Sequence, residues 1–120
     1  MQDFRKLRVW QLARELALDV AKELTVRTCR QFPGLRNQTI RASMSIGSNI
    51  AEGCGKRSPE EFLRFLEMAL ASLLELDNHL IFARDGNVLT NAIFLGLDQR
   101  VTVLRRMLIS LMRRVEEGNE

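Results

Sequence analysis

The 120-residue chain has the length of one ordinary domain, enough to bury a working core, and reads as a single unit over 1–120. With 46% hydrophobic and 28% charged residues, no Tyr, seven Gly and two Pro, it excludes a turn-rich β fold and favours long helices with short connections. The net charge of +3 is unevenly divided: residues 1–57 hold eleven Lys and Arg against five Asp and Glu, and residues 58–120 hold seven against ten.

That asymmetry has three readings. A basic amino-terminal half can face an acidic partner segment, it can face nucleic acid, or its charges can simply solvate helix surfaces. No uninterrupted apolar run approaches the ~20 residues that a membrane-spanning helix needs, and Met1–Lys6 lacks an apolar signal core. The expectation is a soluble, cytoplasmic protein without a membrane partner. Cys29 and Cys54 lack the spacing of a metal or redox motif and read as buried or idle thiols in a reducing compartment.

The first helix is expected over Leu7–Cys29, with Trp10, Ala13, Ala17, Val20 and Leu24 on one face. Phe32-Pro33-Gly34 ends it, and the short connection requires the next helix to fold back beside it. The second helix is expected over Leu35–Glu52. Leu35, Thr39, Ala42, Ile46 and Ile50 form one stripe, and Ile40, Met44, Gly47 and Ala51 a second. Its density of small residues suggests a helix pressed from both sides.

Gly53-Cys54-Gly55-Lys56-Arg57 is the clearest break, and Ser58-Pro59-Glu60-Glu61 is a helix start with cap, first-turn proline and capping-box glutamate. The third helix carries the most regular pattern: Phe62, Leu66, Ala69, Leu73, Leu76, Leu80 and Ala83 keep alternating steps of four and three. Leu63, Leu70, Leu74 and Ile81 widen this face beyond what one seam buries. Arg84-Asp85-Gly86 closes the helix, with Gly86 as the left-handed cap. Thr90 caps a fourth helix that reaches Val115 through Leu97, Val101, Leu104, Leu108 and Leu111, and Glu116–Glu120 reads as a frayed polar tail. The sum is an all-α, antiparallel up-down-up-down four-helix bundle.

Chemistry is sparse. The one histidine, His79, follows Glu75 by four residues, whereas bundle metal sites use Glu-x-x-His pairs on several helices. Cys54 is the most exposed-looking nucleophile but has no base or orienting partner. Gly53-Cys54-Gly55-Lys56 lacks the glycine spacing of a phosphate loop. No catalytic residue, metal, cofactor or small-molecule substrate is expected. Gln38, Ser45, Asn49 and Glu52 share one face of the second helix, and Ser72 and Glu75 lie one turn apart on the third. They read as a polar layer that sets helix register, with Arg41 balancing Glu75 or Glu52.

The basic residues carry the functional hint. Arg5, Lys6 and Arg8 lie at the start, Lys56 and Arg57 in the break, and Arg105, Arg106, Arg113 and Arg114 on the last helix. An antiparallel bundle brings these three groups toward one end, where they could neutralise phosphates. No aromatic residues are interleaved with them, so base stacking is not indicated.

Ile40–Ile46, Asn49-Ile50-Ala51-Glu52-Gly53, Ser58–Leu66, Ala69–Leu76 and Phe4–Trp10 together resemble the four-helix bundle family of 23S rRNA intervening-sequence proteins. The resemblance covers nearly the whole chain. It implies a bacterial protein without known enzyme activity and, in related members, a barrel-like homopentamer. A related branch, the accessory variability determinants of diversity-generating retroelements, binds a reverse transcriptase and nucleic acid through basic surface. Two features depart from the pattern: Phe32-Pro33-Gly34-Leu35 passes straight to Gln38 without the usual acidic, Tyr-containing stretch, and Ala71 stands where Gly is usual. The expected role is a homo-oligomeric assembly or accessory factor that binds RNA, DNA or a nucleic-acid-processing protein. The alternative is a purely structural or protein-binding oligomer.

Overall fold

Seams of apolar residues at steps of three and four leave water only when helices lie side by side, and four such seams close on one another. The computed structural model describes residues 2–118, and among them there are four α-helices and no strand. A single 3-10 turn, Phe4–Lys6, precedes α1 (Arg8–Glu23), α2 (Leu35–Cys54), α3 (Pro59–Asp85) and α4 (Asn91–Glu116). Each helix packs on its sequence neighbours, α4 returns to α1, and the diagonal pairs do not meet. The result is a rod of 46 × 21 × 20 Å.

Cross-helix contacts fix the directions. The Gln2 N–H donates to the Cys54 carbonyl, placing the chain start beside the end of α2. Arg8 and Arg114 line one cleft, so α1 begins where α4 ends, and an Asp19–Arg100 ion pair ties the same two helices toward the other end. Gly53 lies against Phe62, and Arg84 stacks over Phe94 at 4.4 Å. Every adjacent pair is therefore antiparallel.

The expected stripes of α2, α3 and α4 form the core. Leu35, Ala42, Ile46 and Ile50 belong to one buried cluster with the α3 seam from Phe62 to Ala83 and the α4 row from Leu97 to Val115. Thr39 is the buried polar member, its hydroxyl donating to the Leu35 carbonyl at 2.6 Å. The start of α3 has the expected cap, Ser58 Oγ accepting from the Glu61 N–H at 3.1 Å, and Thr90 caps α4 in the same way.

Four expectations are corrected. First, α1 ends at Glu23, not Cys29. The backbone N–H groups of Thr25 and Thr28 each donate to the other's hydroxyl at 3.0 Å, offering the chain an alternative to the helix ladder, and Arg36 Nε donates to the Leu24 carbonyl at 2.9 Å. Second, the buried face of α1 is Val9, Ala13, Leu16 and Val20, whereas Trp10 and Ala17 are half-buried along its edge. Third, α2 continues through Gly53 to Cys54, whose thiol is buried, like that of Cys29, as expected of an idle cysteine. Fourth, Gly86 is not left-handed (φ −85°); Asn87 (φ 61°) is. The Val88 N–H reaches back to the Ala83 carbonyl at 2.8 Å and Asn87 to Arg84 at 3.0 Å, which makes Asn87 the left-handed residue of a Schellman ending. Gly86 is needed instead for space, since a Cβ there would lie 3.0 Å from the Phe32 ring. Of the polar tail, Glu116 still belongs to α4, and Asn119 and Glu120 lie outside the described residues, as does Met1.

Two helical glycines differ in what surrounds them, and so in what alanine would do. At Gly53 a Cβ would lie 2.9 Å from Phe62 Cδ1 and 2.9 Å from Phe65 Cβ, and the latter moves only with the α3 backbone. Gly53→Ala should lose stability, overpacking of about 1–3 kcal/mol outweighing the ~1 kcal/mol propensity gain. At Gly96 nothing lies within 4 Å. Gly96→Ala should gain about 1 kcal/mol in urea unfolding.

Candidate basic interface and interhelical polar layer

The end of the rod that holds the starts of α1 and α3 and the ends of α2 and α4 receives most of the basic residues singled out above. Arg5 is held by Asp3, whose carboxylate accepts from its Nε at 2.9 Å; this bond is the main cause that draws the Asp3 pKa below its ordinary value. Lys56 lies 5.1 Å from the centroid of the Phe65 ring and Arg64 stacks on the same ring at 5.0 Å. Cations and aromatic rings are thus interleaved here, contrary to the reading of the sequence, but Phe65 is buried and so is not a stacking platform for bases. Arg57 is exposed in the connection, Arg113 is exposed on α4, and Lys6 is exposed beside Arg5.

Arg8, Arg106 and Arg114 come together from opposite ends of the chain. They line one cleft between the first turn of α1 and the last three turns of α4, with Ser110 between the two α4 arginines. Arg105 does not join them. One residue earlier on the helix, it turns about 100° away and faces Asp77 of α3, Nη2 to Oδ2 3.7 Å. The same end also carries acids: Glu60, Glu61, Glu116 and Glu117 are exposed. The cleft gathers three arginines with no acid in its lining, whereas elsewhere on this end acids and bases are mixed.

The polar layer forms only in part. Ser45 and Ser72 share a hydrogen bond of 2.8 Å between α2 and α3, and Asn49 Nδ2 donates to the Ser45 carbonyl at 2.9 Å and to its hydroxyl at 3.1 Å. This joins the two helices at one register. Gln38 and Glu52 are exposed beyond it. Arg41 is exposed and balances neither Glu75 nor Glu52; Glu75 lies 3.4 Å from His79 instead.

Two further features stand outside the basic end and the polar layer. One is an open groove of about 380 Å³ between α1 and α2, lined by Trp10, Ala17, Leu18, Ile40, Met44 and Gly47 among others. Leu18 and Met44 are 55% and 60% exposed there. The groove walls are the Trp10, Ala13 and Ala17 row expected on α1 and the second stripe expected on α2, Ile40, Met44, Gly47 and Ala51, with Leu18 added. The other is Asp77, half-buried between α3 and α4 beside Arg105, with its Oδ1 and the Arg105 Nε buried and unbonded. Among the described residues no three His, Cys, Asp or Glu side chains gather as metal ligands, and no helix is long and apolar enough to cross a membrane.

Residues 5–110 match the family model described as 23S rRNA-intervening sequence protein. The chain belongs to the 23S rRNA-intervening sequence protein family. No curated protein matches it. The family match runs from Arg5 to Ser110, so it takes in the lining of the arginine cleft except Leu111 and Arg114, and the whole of the α1–α2 groove.

Burial is the largest influence on Asp77 and raises its pKa, the nearby Asp98 raises it further, and Arg105 opposes both. At pH values between the ordinary pKa and the raised one, the folded state holds a proton that the unfolded chain has released. Stability from this group is present at low pH and is lost as pH rises from the ordinary value of 3.8 through the folded one. Asp77→Asn should flatten that slope in urea unfolding at a series of pH values and should not destabilise the protein at pH 7. A loss there above about 1 kcal/mol would mean that the Arg105 pair dominates.

Proposed function

We propose that this chain is a non-enzymatic, cytoplasmic building block that assembles with copies of itself and presents a basic end to nucleic acid or to a nucleic-acid-processing protein. The observation that carries the reading is the gathering of Arg8, Arg106 and Arg114 at one cleft, from residues far apart in sequence. Guanidinium groups grouped in this way favour phosphate through charge and forked hydrogen bonding.

Self-association is supported by the apolar surface that one copy leaves open. The α1–α2 groove is concave and lined largely by small and apolar side chains. On the other two helices Leu74, Phe82, Leu95 and Val103 are 46–56% exposed. A concave patch on one side and protruding side chains on the other fit a head-to-tail contact, which closes into a ring when the rotation permits. The homopentamer implied by the family resemblance is such a ring. The second reading, an oligomer with no nucleic-acid role, is favoured by the exposed glutamates at the basic end.

Light scattering at micromolar concentration should give a defined oligomer, and a Leu18→Glu/Met44→Glu variant should shift it toward monomer with its helix content intact. A monomeric parent protein rules out the assembly. Nucleic-acid affinity should fall steeply with salt, with log K declining by about 0.7–0.9 per phosphate neutralised in a plot against log salt. No binding at low ionic strength leaves the second reading.

A further inference from the structure

We propose that the cleft between the first turn of α1 and the C-terminal half of α4 is a phosphate seat, contributed to the basic end by Arg8, Arg106, Arg114 and Ser110. The inference rests on the reading that this end meets nucleic acid, and it names the chemical group recognised there.

Three arginines around one depression, with no acid in its lining, set this cleft apart. Arg5, Arg84, Arg100 and Arg105 each have an aspartate partner in contact. Of the cleft arginines, Arg8 makes one long ion pair, to Glu15 at 3.9 Å, and Arg106 and Arg114 make none among the described residues. No acidic residue lines the cleft. Three like charges around one depression repel one another unless an anion lies among them.

The neighbouring bonds hold the donors in place. Arg114 Nη1 donates to Ser110 Oγ at 3.2 Å, and Arg8 Nη1 to Gln11 Oε1 at 3.4 Å. Both leave further guanidinium N–H groups free for the fork geometry that phosphate oxygens accept. The floor is apolar, with Val9 and Leu111 buried, so charge on the rim acts beside a low-dielectric surface. The first turn of α1 borders the cleft and has no side-chain cap on Leu7, which adds the positive end of a 16-residue helix to the arginine field. A volume of about 260 Å³ has room for a phosphate group. No aromatic residue lines it, so the seat reads backbone and not base.

The test compares two variants of the full chain that remove equal charge from exposed side chains: Arg8→Gln/Arg106→Gln in the cleft and Arg27→Gln/Arg30→Gln at the opposite end of the rod, outside it. Circular dichroism confirms that both fold. Fluorescence anisotropy with a labelled RNA hairpin should show the cleft variant binding at least about tenfold more weakly, with a salt slope reduced by about 1–2. The outside variant should stay within about twofold of the parent. Equal losses in both variants would show diffuse charge and overturn the seat, unless the second arm locates it. That arm titrates inorganic pyrophosphate and follows the Arg8, Val9 and Trp10 amide signals by NMR. Shifts in the parent that vanish in the cleft variant support the seat, and they do so for a free phosphate compound if the RNA is not bound at all. Failure of RNA binding in the parent alone sinks the nucleic-acid reading. Absence of both a cleft-specific RNA effect and amide shifts sinks the phosphate seat.

Discussion

The close approach of α2 to α3 is the constraint on which the rest of the molecule depends. Gly53 allows the end of α2 to lie against Phe62 and Phe65, where even a methyl group would meet carbon at 2.9 Å. One helical stretch further along, Ser45 and Ser72 meet at 2.8 Å, and Asn49 satisfies the same hydroxyl. A small side chain at one level and a hydrogen bond at another fix both the separation and the register of the pair. With that register set, the long α3 seam has one place to go. It is buried against α2 and α4 together, and α4 is carried round to meet α1.

The α3 and α4 seams were legible in sequence because a strict alternation of three and four admits one face. Each of their named core residues is buried, and the caps at Ser58 and Thr90 lie where their side chains predicted. α1 was harder for a physical reason. Ala, Leu and Val recur on two overlapping faces between Val9 and Ala21, and periodicity cannot rank two apolar stripes. Its end was obscured because Thr25 and Thr28 act on the backbone through side-chain bonds that composition does not display. Gly53 misled in the opposite sense: a glycine that reads as a breaker is helical because the neighbouring helix needs its missing side chain.

The partial polar layer follows the same logic. Ser45, Asn49 and Ser72 lie at the contact between α2 and α3, where a polar group must be bonded to be buried. Gln38 and Glu52 lie on the same nominal face but near the two ends of α2, where a straight row of residues drifts out of the contact and into water. A face defined by spacing alone therefore predicts the middle of a helix better than its ends.

Charge is the property that sequence conveys least, because adjacent residues on a helix point about 100° apart. Arg105 and Arg106 are identical neighbours with opposite surroundings. The first turns toward α3 and is tied to Asp77 in a pair that burial weakens, with Asp77 Oδ1 and Arg105 Nε left unbonded. The second turns toward α1 and joins Arg8 and Arg114 at a cleft with no acid in its lining. Neither outcome could be chosen without the register of α4 against both neighbours, and that register is inherited from the α2–α3 contact through the α3 seam. The same packing that makes the bundle thus decides which arginine is spent inside it and which remains for a partner.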